Sequence, residues 1–217
     1  MIRDHLIKGA AEVGLALGEE AIQAFELYAA ELCKWNRKVN LTAISSELDI
    51  AAKHIIDALL FADYVTEAEN LLDVGSGAGI PAIPFKIVHP EVNVVSVDAV
   101  GKKINFQRHA ARLLKLDNFS ALHSRVENLH ASHAGFFDVI TSRAFSDLGK
   151  FAMLAAPLLK PGGRMIAMKG PAVEQEMSNE MLELQAAGFT ICSRHHYELP
   201  FNCGKRCLVV IKPAEAA

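Results

Sequence analysis

The spacing of apolar positions changes character near residue 66. Before it, Ile2, Leu6, Val13 and Leu17 fall near helical spacing, and Gly18 is the expected stop. Ile22, Phe25, Tyr28, Leu32 and Trp35 then step by three or four, which makes one apolar helix stripe. A third helix is predicted from Ser46, where Ser46-x-x-Asp49 forms a weak capping box, with Leu48, Ile55 and Leu59 on its buried side. No strand pattern occurs here, so residues 1–66 are expected to form a helical N-terminal cap.

From Asn70 onward, short apolar runs alternate with longer amphipathic stretches. Leu71–Val74, Val92–Val97 (ending at Asp98), Phe119–Leu122, Phe137–Ile140 and Met165–Met168 read as buried strands, with helical stretches such as Lys102–Leu116 between them. That alternation predicts an α/β fold with a doubly wound, mostly parallel sheet over residues 67–217. The tail departs from it. Thr190–Leu199, a turn at Asn202-Cys203-Gly204 and Cys207–Ile211 must pair antiparallel, because so short a connection allows nothing else.

Composition narrows the functional classes. The chain has 217 residues, 51% hydrophobic and 22% charged, which suits one domain with an appendage and excludes a disordered or fibrous chain. Its net charge of -3 argues against a surface that attracts nucleic acid as a whole, but leaves room for a local basic patch. Met1–His5 lacks an apolar signal core, and the apolar run Phe151–Leu159 is too short to span a bilayer and contains Pro157. Four cysteines make no disulfide scaffold, so a reduced, cytoplasmic setting is expected. Cys192, His195, His196, Cys203 and Cys207 have no usual zinc-ligand spacing, and no metal is expected.

The candidate chemistry begins at Asp73-Val-Gly75-Ser-Gly77-Ala-Gly79. Glycines between a strand and a helix let backbone approach a ligand and present amides to it. A dinucleotide loop would need G-x-G-x-x-G, and Ile80 stands where its third glycine should be, which disfavours an NAD-dependent dehydrogenase. Asp98, closing the second strand, is placed to accept hydrogen bonds from a ribose diol. Asp73 could face a cationic ligand.

With Leu158-Leu-Lys-Pro-Gly-Gly163, expected to end a helix before the fifth strand, these features resemble a class I S-adenosylmethionine-dependent methyltransferase, whose fold is Rossmann-like. Further segments narrow the resemblance: Lys34–Thr42 (K-W-N-R-K-V-N-L-T), His54–Asp57 (H-I-I-D), Asp73–Pro84 (D-V-G-S-G-A-G-I-P-A-I-P), Ser124–Glu127 (S-R-V-E), Ser142–Phe145 (S-R-A-F) and Lys169-Gly170. Together they are similar to the glucose-inhibited division protein B family, the ribosomal RNA small subunit methyltransferase G family. The resemblance implies an enzyme that methylates N7 of a guanine in the 530 loop of 16S rRNA (guanine 527). The implied partners are 16S rRNA and the small ribosomal subunit, with no membrane, and the protein is expected to be a monomer.

The residues fit that chemistry. Thr141-Ser142-Arg143-Ala144 replaces the Asp/Asn-Pro-Pro-Tyr usual for exocyclic amines, and no cysteine falls near that loop to attack a pyrimidine ring. Guanine N7 carries an in-plane lone pair and needs no base, so alignment and exclusion of water can suffice. Roles then follow from the resemblance. Asp73, Gly75, Gly77, Gly79, Ile80, Asp98, Val126, Glu127 and Arg143 are expected around the cofactor, Arg143 positioning the reaction with no general base. Asn36, Asn40, His54, Lys102, Lys169 and Arg206 are expected on the RNA side. Asn36 and Asn40 also read as helix-end caps, Trp35 as a core or docking residue, and His54 with Asp57 as a simple surface or interface pair. The run Lys102, Lys103, Arg108, Arg112 and Lys115 reads either as a solvated helix face or as a phosphate track. Two rival readings stay open: a methyltransferase of this fold with another substrate, and a cofactor-binding RNA module without turnover.

Overall fold

The computed structural model describes the chain except residues 67–68, 144, 146, 172–180 and 215–217. Among the described residues seven strands form one sheet: β1 (Asn70–Val74), β2 (Asn93–Asp98), β3 (Phe119–His123), β4 (Phe137–Ser142), β5 (Leu159–Lys169), β6 (Phe189–Glu198) and β7 (Lys205–Pro213). Their order across the sheet is β3-β2-β1-β4-β5-β7-β6. The first five are parallel, and β7 slots antiparallel between β5 and β6, as the tail pattern predicted. The strand order reverses between β1 and β4, which opens a crevice at their carboxyl ends.

Helices cover both faces because the sheet's apolar residues alternate between them. On one face, α7 (Leu148–Ala155) and the 3₁₀ turn Val126–Leu129 bury Leu72, Val74, Val95, Ile140 and Met165. On the other, α4 (Asp57–Ala62) and α5 (Ala82–Val88) bury Leu71, Val94, Val139, Ile166 and Leu208. The helix α6 (Gly101–Leu113) crosses back from β2 to β3 on this second face.

The N-terminal helices form a further layer. Besides α4 they are α1 (Ile2–Glu12), α2 (Glu19–Val39), the single turn α3 (Glu47–Asp49) and a π-helical stretch Ile50–Ile56. Phe25, Tyr28, Leu32 and Ile55 share one core with Ile80, Ile83, Phe106 and Ala110 of the sheet region. Trp35 docks by its ring edge against Phe106 and at a tilt against His109 of α6.

Three local expectations need correction. The first helix stops at Glu12 rather than at Gly18. Gly14, at φ +77°, makes the left-handed exit, and Gly18 instead precedes α2 as its N-cap. Ser46 does cap, accepting the Asp49 amide at 3.1 Å, but most of the helix beyond that turn is π-helical. Leu159–Gly163 does not end a helix: it belongs to β5. The register shifts between Phe137 and Val139, and the two glycines allow that bulge. Gly162 sits at φ +80°, and a Cβ on Gly163 would lie 2.9 Å from the Asp138 carbonyl oxygen.

Candidate cofactor site at the switch point

The glycine loop leaves β1 at the crevice and is held by buried polar groups. The Gly75 amide donates to Val97 O at 2.8 Å, and the Gly77 amide donates to Asp98 Oδ2 at 2.9 Å. Gln107 of α6 reaches under the loop, donating to Gly77 O (2.9 Å) and Ser76 Oγ (2.8 Å) and accepting a short bond from Ser96. From the cap, the buried Tyr28 hydroxyl donates to Ala78 O at 2.9 Å. The loop is thus tied to β2, α6 and α2 at once, so its backbone is set before any ligand arrives.

The glycines differ in what they do. Gly77 (φ +58°) has open space where a Cβ would project. Gly79 (φ +82°) does not: a Cβ there would meet Ile83 Cδ1 at 2.6 Å and Gln107 Cγ at 3.3 Å. Gly79 therefore serves close packing of the loop on α5 and α6, and Gly77 leaves room above the backbone.

A cavity of about 280 Å³ lies beside the loop. Val74, Gly75, Asp98, Val126, Glu127 and Phe145 are among the residues lining it. The structure thus gathers Gly75, Asp98, Val126 and Glu127 from three segments. Ile80 turns instead into the core shared with Phe25 and Phe106 and does not line this cavity. Asp98 Oδ1 accepts the Val100 amide at 2.8 Å, so each carboxylate oxygen holds one amide and keeps a lone pair for a ligand hydroxyl. Asp73 is fully buried beneath the loop. Its Oδ2 accepts a long bond from the Ala82 amide (3.4 Å), while its Oδ1 has no hydrogen-bond partner among the described residues. Burial, more than the opposing pull of that amide and of Arg143, raises this carboxyl to about 7.

Arg143 leaves the end of β4 toward the cap. Its Nη1 donates to Lys53 O at 3.2 Å, and its Nη2 lies 3.7 Å from Asp57 Oδ2. Asp57 also accepts the Tyr197 hydroxyl at 2.7 Å and lies 3.5 Å from Arg206 Nε. The expected surface or interface pair of His54 and Asp57 is corrected here: both are buried, and each bonds to other residues. His54 shares a 2.9 Å hydrogen bond with Thr42 Oγ1, and burial, aided by Arg143, pushes it down to about 4. Asn36 spends its amide on the turn after α2: its Oδ1 accepts the Leu41 and Thr42 amides at 2.6 and 3.0 Å, and its Nδ2 donates to Thr42 O at 2.8 Å. Asn40 is exposed at the left-handed end of that helix. Lys102 is exposed on the first turn of α6, and Lys169 is buried where β5 ends. Among the described residues no three His, Cys, Asp or Glu side chains come together as a metal-ligand set, and no helix is long and apolar enough to cross a membrane.

Sequence reasoning missed Gln107, Tyr28 and the Asp57 cluster. Buried polar residues on otherwise apolar helix faces were the available signal for the first two.

The family model for rRNA small subunit methyltransferase G matches residues 21–200. A protein named ribosomal RNA small subunit methyltransferase G from Geobacter metallireducens is 48% identical over 209 residues, covering 96% of this chain and 95% of its own. The chain belongs to the rRNA small subunit methyltransferase G family. The namesake from Staphylococcus saprophyticus is 35% identical over 201 residues, covering 91% of this chain and 84% of its own. Among solved structures, an S-adenosylmethionine-dependent methyltransferase from Aquifex aeolicus aligns with TM-score 0.57 at 20% identity, over 75% of this chain and 92% of that one. A ribosomal protein L11 methylase from Lactobacillus delbrueckii aligns with TM-score 0.56 at 18% identity, over 75% and 79%. These two likenesses speak for the class I methyltransferase fold. Family membership makes the chain an enzyme, a methyltransferase that uses S-adenosylmethionine.

Proposed function

We propose that this methyltransferase acts on 16S rRNA of the small ribosomal subunit, at N7 of a guanine in the 530 loop (guanine 527), as a cytoplasmic monomer. The observation that carries the reading is the convergence of Gly75, Asp98, Val126 and Glu127 on one cavity at the switch point, in a chain of this family.

The site suits the cofactor. Asp98 would hold the ribose hydroxyls, Val126 and Glu127 would edge the adenine, and the open backbone at Gly77 would face the methionine part. The lone Asp73 oxygen lies where a cationic ligand would favour the ionised carboxylate. When bound, S-adenosylmethionine supplies a methyl group on a positively charged sulfur. The protein's share is then to orient the base and keep water out. Among the described residues no cysteine or histidine lines the cavity, and Thr141 and Ser142 at the end of β4 donate their hydroxyls to Ile166 O and Val74 O, with Arg143 following. That set suits a nucleophile arriving with its lone pair free, as guanine N7 does. Arg143, fixed by Lys53 O and Asp57, would position the base.

The test is transfer of radiolabelled methyl from S-adenosylmethionine to 16S rRNA or small subunits from cells lacking the enzyme. Label is mapped by chain cleavage at N7-methylated guanine. Label at a single guanine of the 530 loop is expected. Label elsewhere overturns the position, and none at all points to another substrate or to a module without turnover.

A further inference from the structure

Near the cofactor several cations are occupied: Arg143 and Arg206 face Asp57, Lys103 lies 3.8 Å from Asp98, and Lys169 is buried. Lys102, Arg125 and Lys150 there are exposed with no ion pair among the described residues. A second group of exposed cations stands on α6 and just past its end. Arg108, Arg112 and Lys115 are exposed, and among the described residues none has a carboxylate within ion-pair distance. Arg108 spends its Nε on Ala121 O at 3.0 Å, which fixes its stem and leaves the rest of the guanidinium outward.

These three cations border a second concavity of about 720 Å³, between α6, the end of α2 and the edge strand β3. Trp35 and Phe119 contribute its aromatic walls. Asp117 is the carboxylate on its rim, and nearby Glu31 is held by His109 Nε2 at 2.7 Å and by Lys34 at 3.0 Å. A basic helix face is ordinarily just solvated. Here it is concave, carries three cations against one carboxylate, and belongs to a chain of net charge -3. A chain that repels polyanions overall must concentrate its attraction where cations are unpaired.

We infer that this groove is a second contact for the substrate RNA, gripping the sugar–phosphate backbone of a segment outside the target loop. The inference rests on the proposed rRNA substrate. Lys102 and Arg112 are separated by about 15 Å along α6 at the α-helical rise. The groove therefore engages RNA well beyond the base being modified. A minimal hairpin reaches the cofactor end alone, and a longer RNA reaches both.

The test measures binding of a 16S rRNA fragment containing the 530 loop and its flanks to the full chain, across a salt series. Arg112→Glu/Lys115→Glu should weaken binding about tenfold or more and flatten the log–log salt slope by about 1.5, two contacts at the single-strand coefficient. Lys8→Glu/Lys212→Glu changes net charge equally on exposed positions elsewhere and should cost less than about twofold if the groove, not bulk charge, is the site. Trp35 is the only tryptophan, so its fluorescence should change as RNA fills the groove in the wild type. Arg112→Gln/Lys115→Gln, milder for folding, should show the same effects at smaller size. Wild-type RNA affinity in both groove variants, or equal losses in the control, overturns the inference. Failure of the substrate reading is separable: wild-type protein would then place no label on the RNA, whatever the groove variants bind.

Discussion

Two buried ionisable side chains give the molecule opposite responses to pH. His54 is neutral when folded down to about pH 4, whereas in the unfolded chain it takes a proton near 6.5. The unfolded state therefore binds more protons between those values, and stability falls as pH drops through that window. The loss should approach about 3 kcal/mol at the acid end, and His54→Asn should flatten that part of a urea-midpoint-against-pH curve. Asp73 runs the other way. Its folded carboxyl titrates near 7 and its unfolded carboxyl near 3.8, so the folded state holds the extra proton and this group's contribution weakens as pH rises toward 7. A sulfonium ligand above it favours the ionised form. Binding of S-adenosylmethionine near pH 7 should thus release a proton, seen as buffer-dependent heats in calorimetry, and Asp73→Asn should abolish that dependence. Neither behaviour was legible in the sequence, because burial comes from the fold and not from the residue's neighbours in the chain.

At the scale of elements, the glycine loop is packed on the cap through Ala78 and Ile80 and bonded to it by the Tyr28 hydroxyl. Gly79→Ala places a Cβ 2.6 Å from Ile83 at a left-handed position and should cost about 2–4 kcal/mol of stability in chemical unfolding. Gly77→Ala meets no neighbour and should cost only about 1–2 kcal/mol from its backbone, while weakening cofactor affinity more than Gly79→Ala does at matched stability. Asp57 joins the cap to β4, β6 and β7 through Arg143, Tyr197 and Arg206. Asp57→Ala strands two mostly buried guanidinium groups and a partly buried hydroxyl, and should lower the unfolding free energy by about 2 kcal/mol. The strands, their parallel order and the antiparallel tail were readable because their apolar runs are local. The Asp57 cluster was not, since Tyr197 lies 140 residues away along the chain. The π-helical stretch also escaped, since its apolar stripe looks α-helical. Leu159–Gly163 misled because Pro and Gly mark a strand bulge as readily as a helix end.

Across the whole molecule, charge is sorted rather than balanced. Carboxylates hold Arg143, Arg206 and Lys103 near the crevice, while Lys102, Arg125 and Lys150 there, and Arg108, Arg112 and Lys115 farther off, have no ion pair among the described residues. A few phosphate contacts of this kind predict a modest salt slope for RNA binding, about -2 to -3 for three or four contacts on single strands. A filter-binding series in rising potassium chloride checks it, and a slope several times steeper would contradict it. The core that joins Phe25 and Leu32 to Ile83, Phe106 and Ala110 has a different consequence, for the chain as it is made. The helices of the cap leave the ribosome first, yet the surface that covers their apolar side is encoded some fifty to eighty residues later, in α5 and α6. Until Ala110 has emerged, Phe25, Tyr28 and Leu32 have only the cap's own Leu6, Ile50 and Ile55 to cover them in part. Trigger-type chaperones should find their handle there, in the interval before α6 arrives.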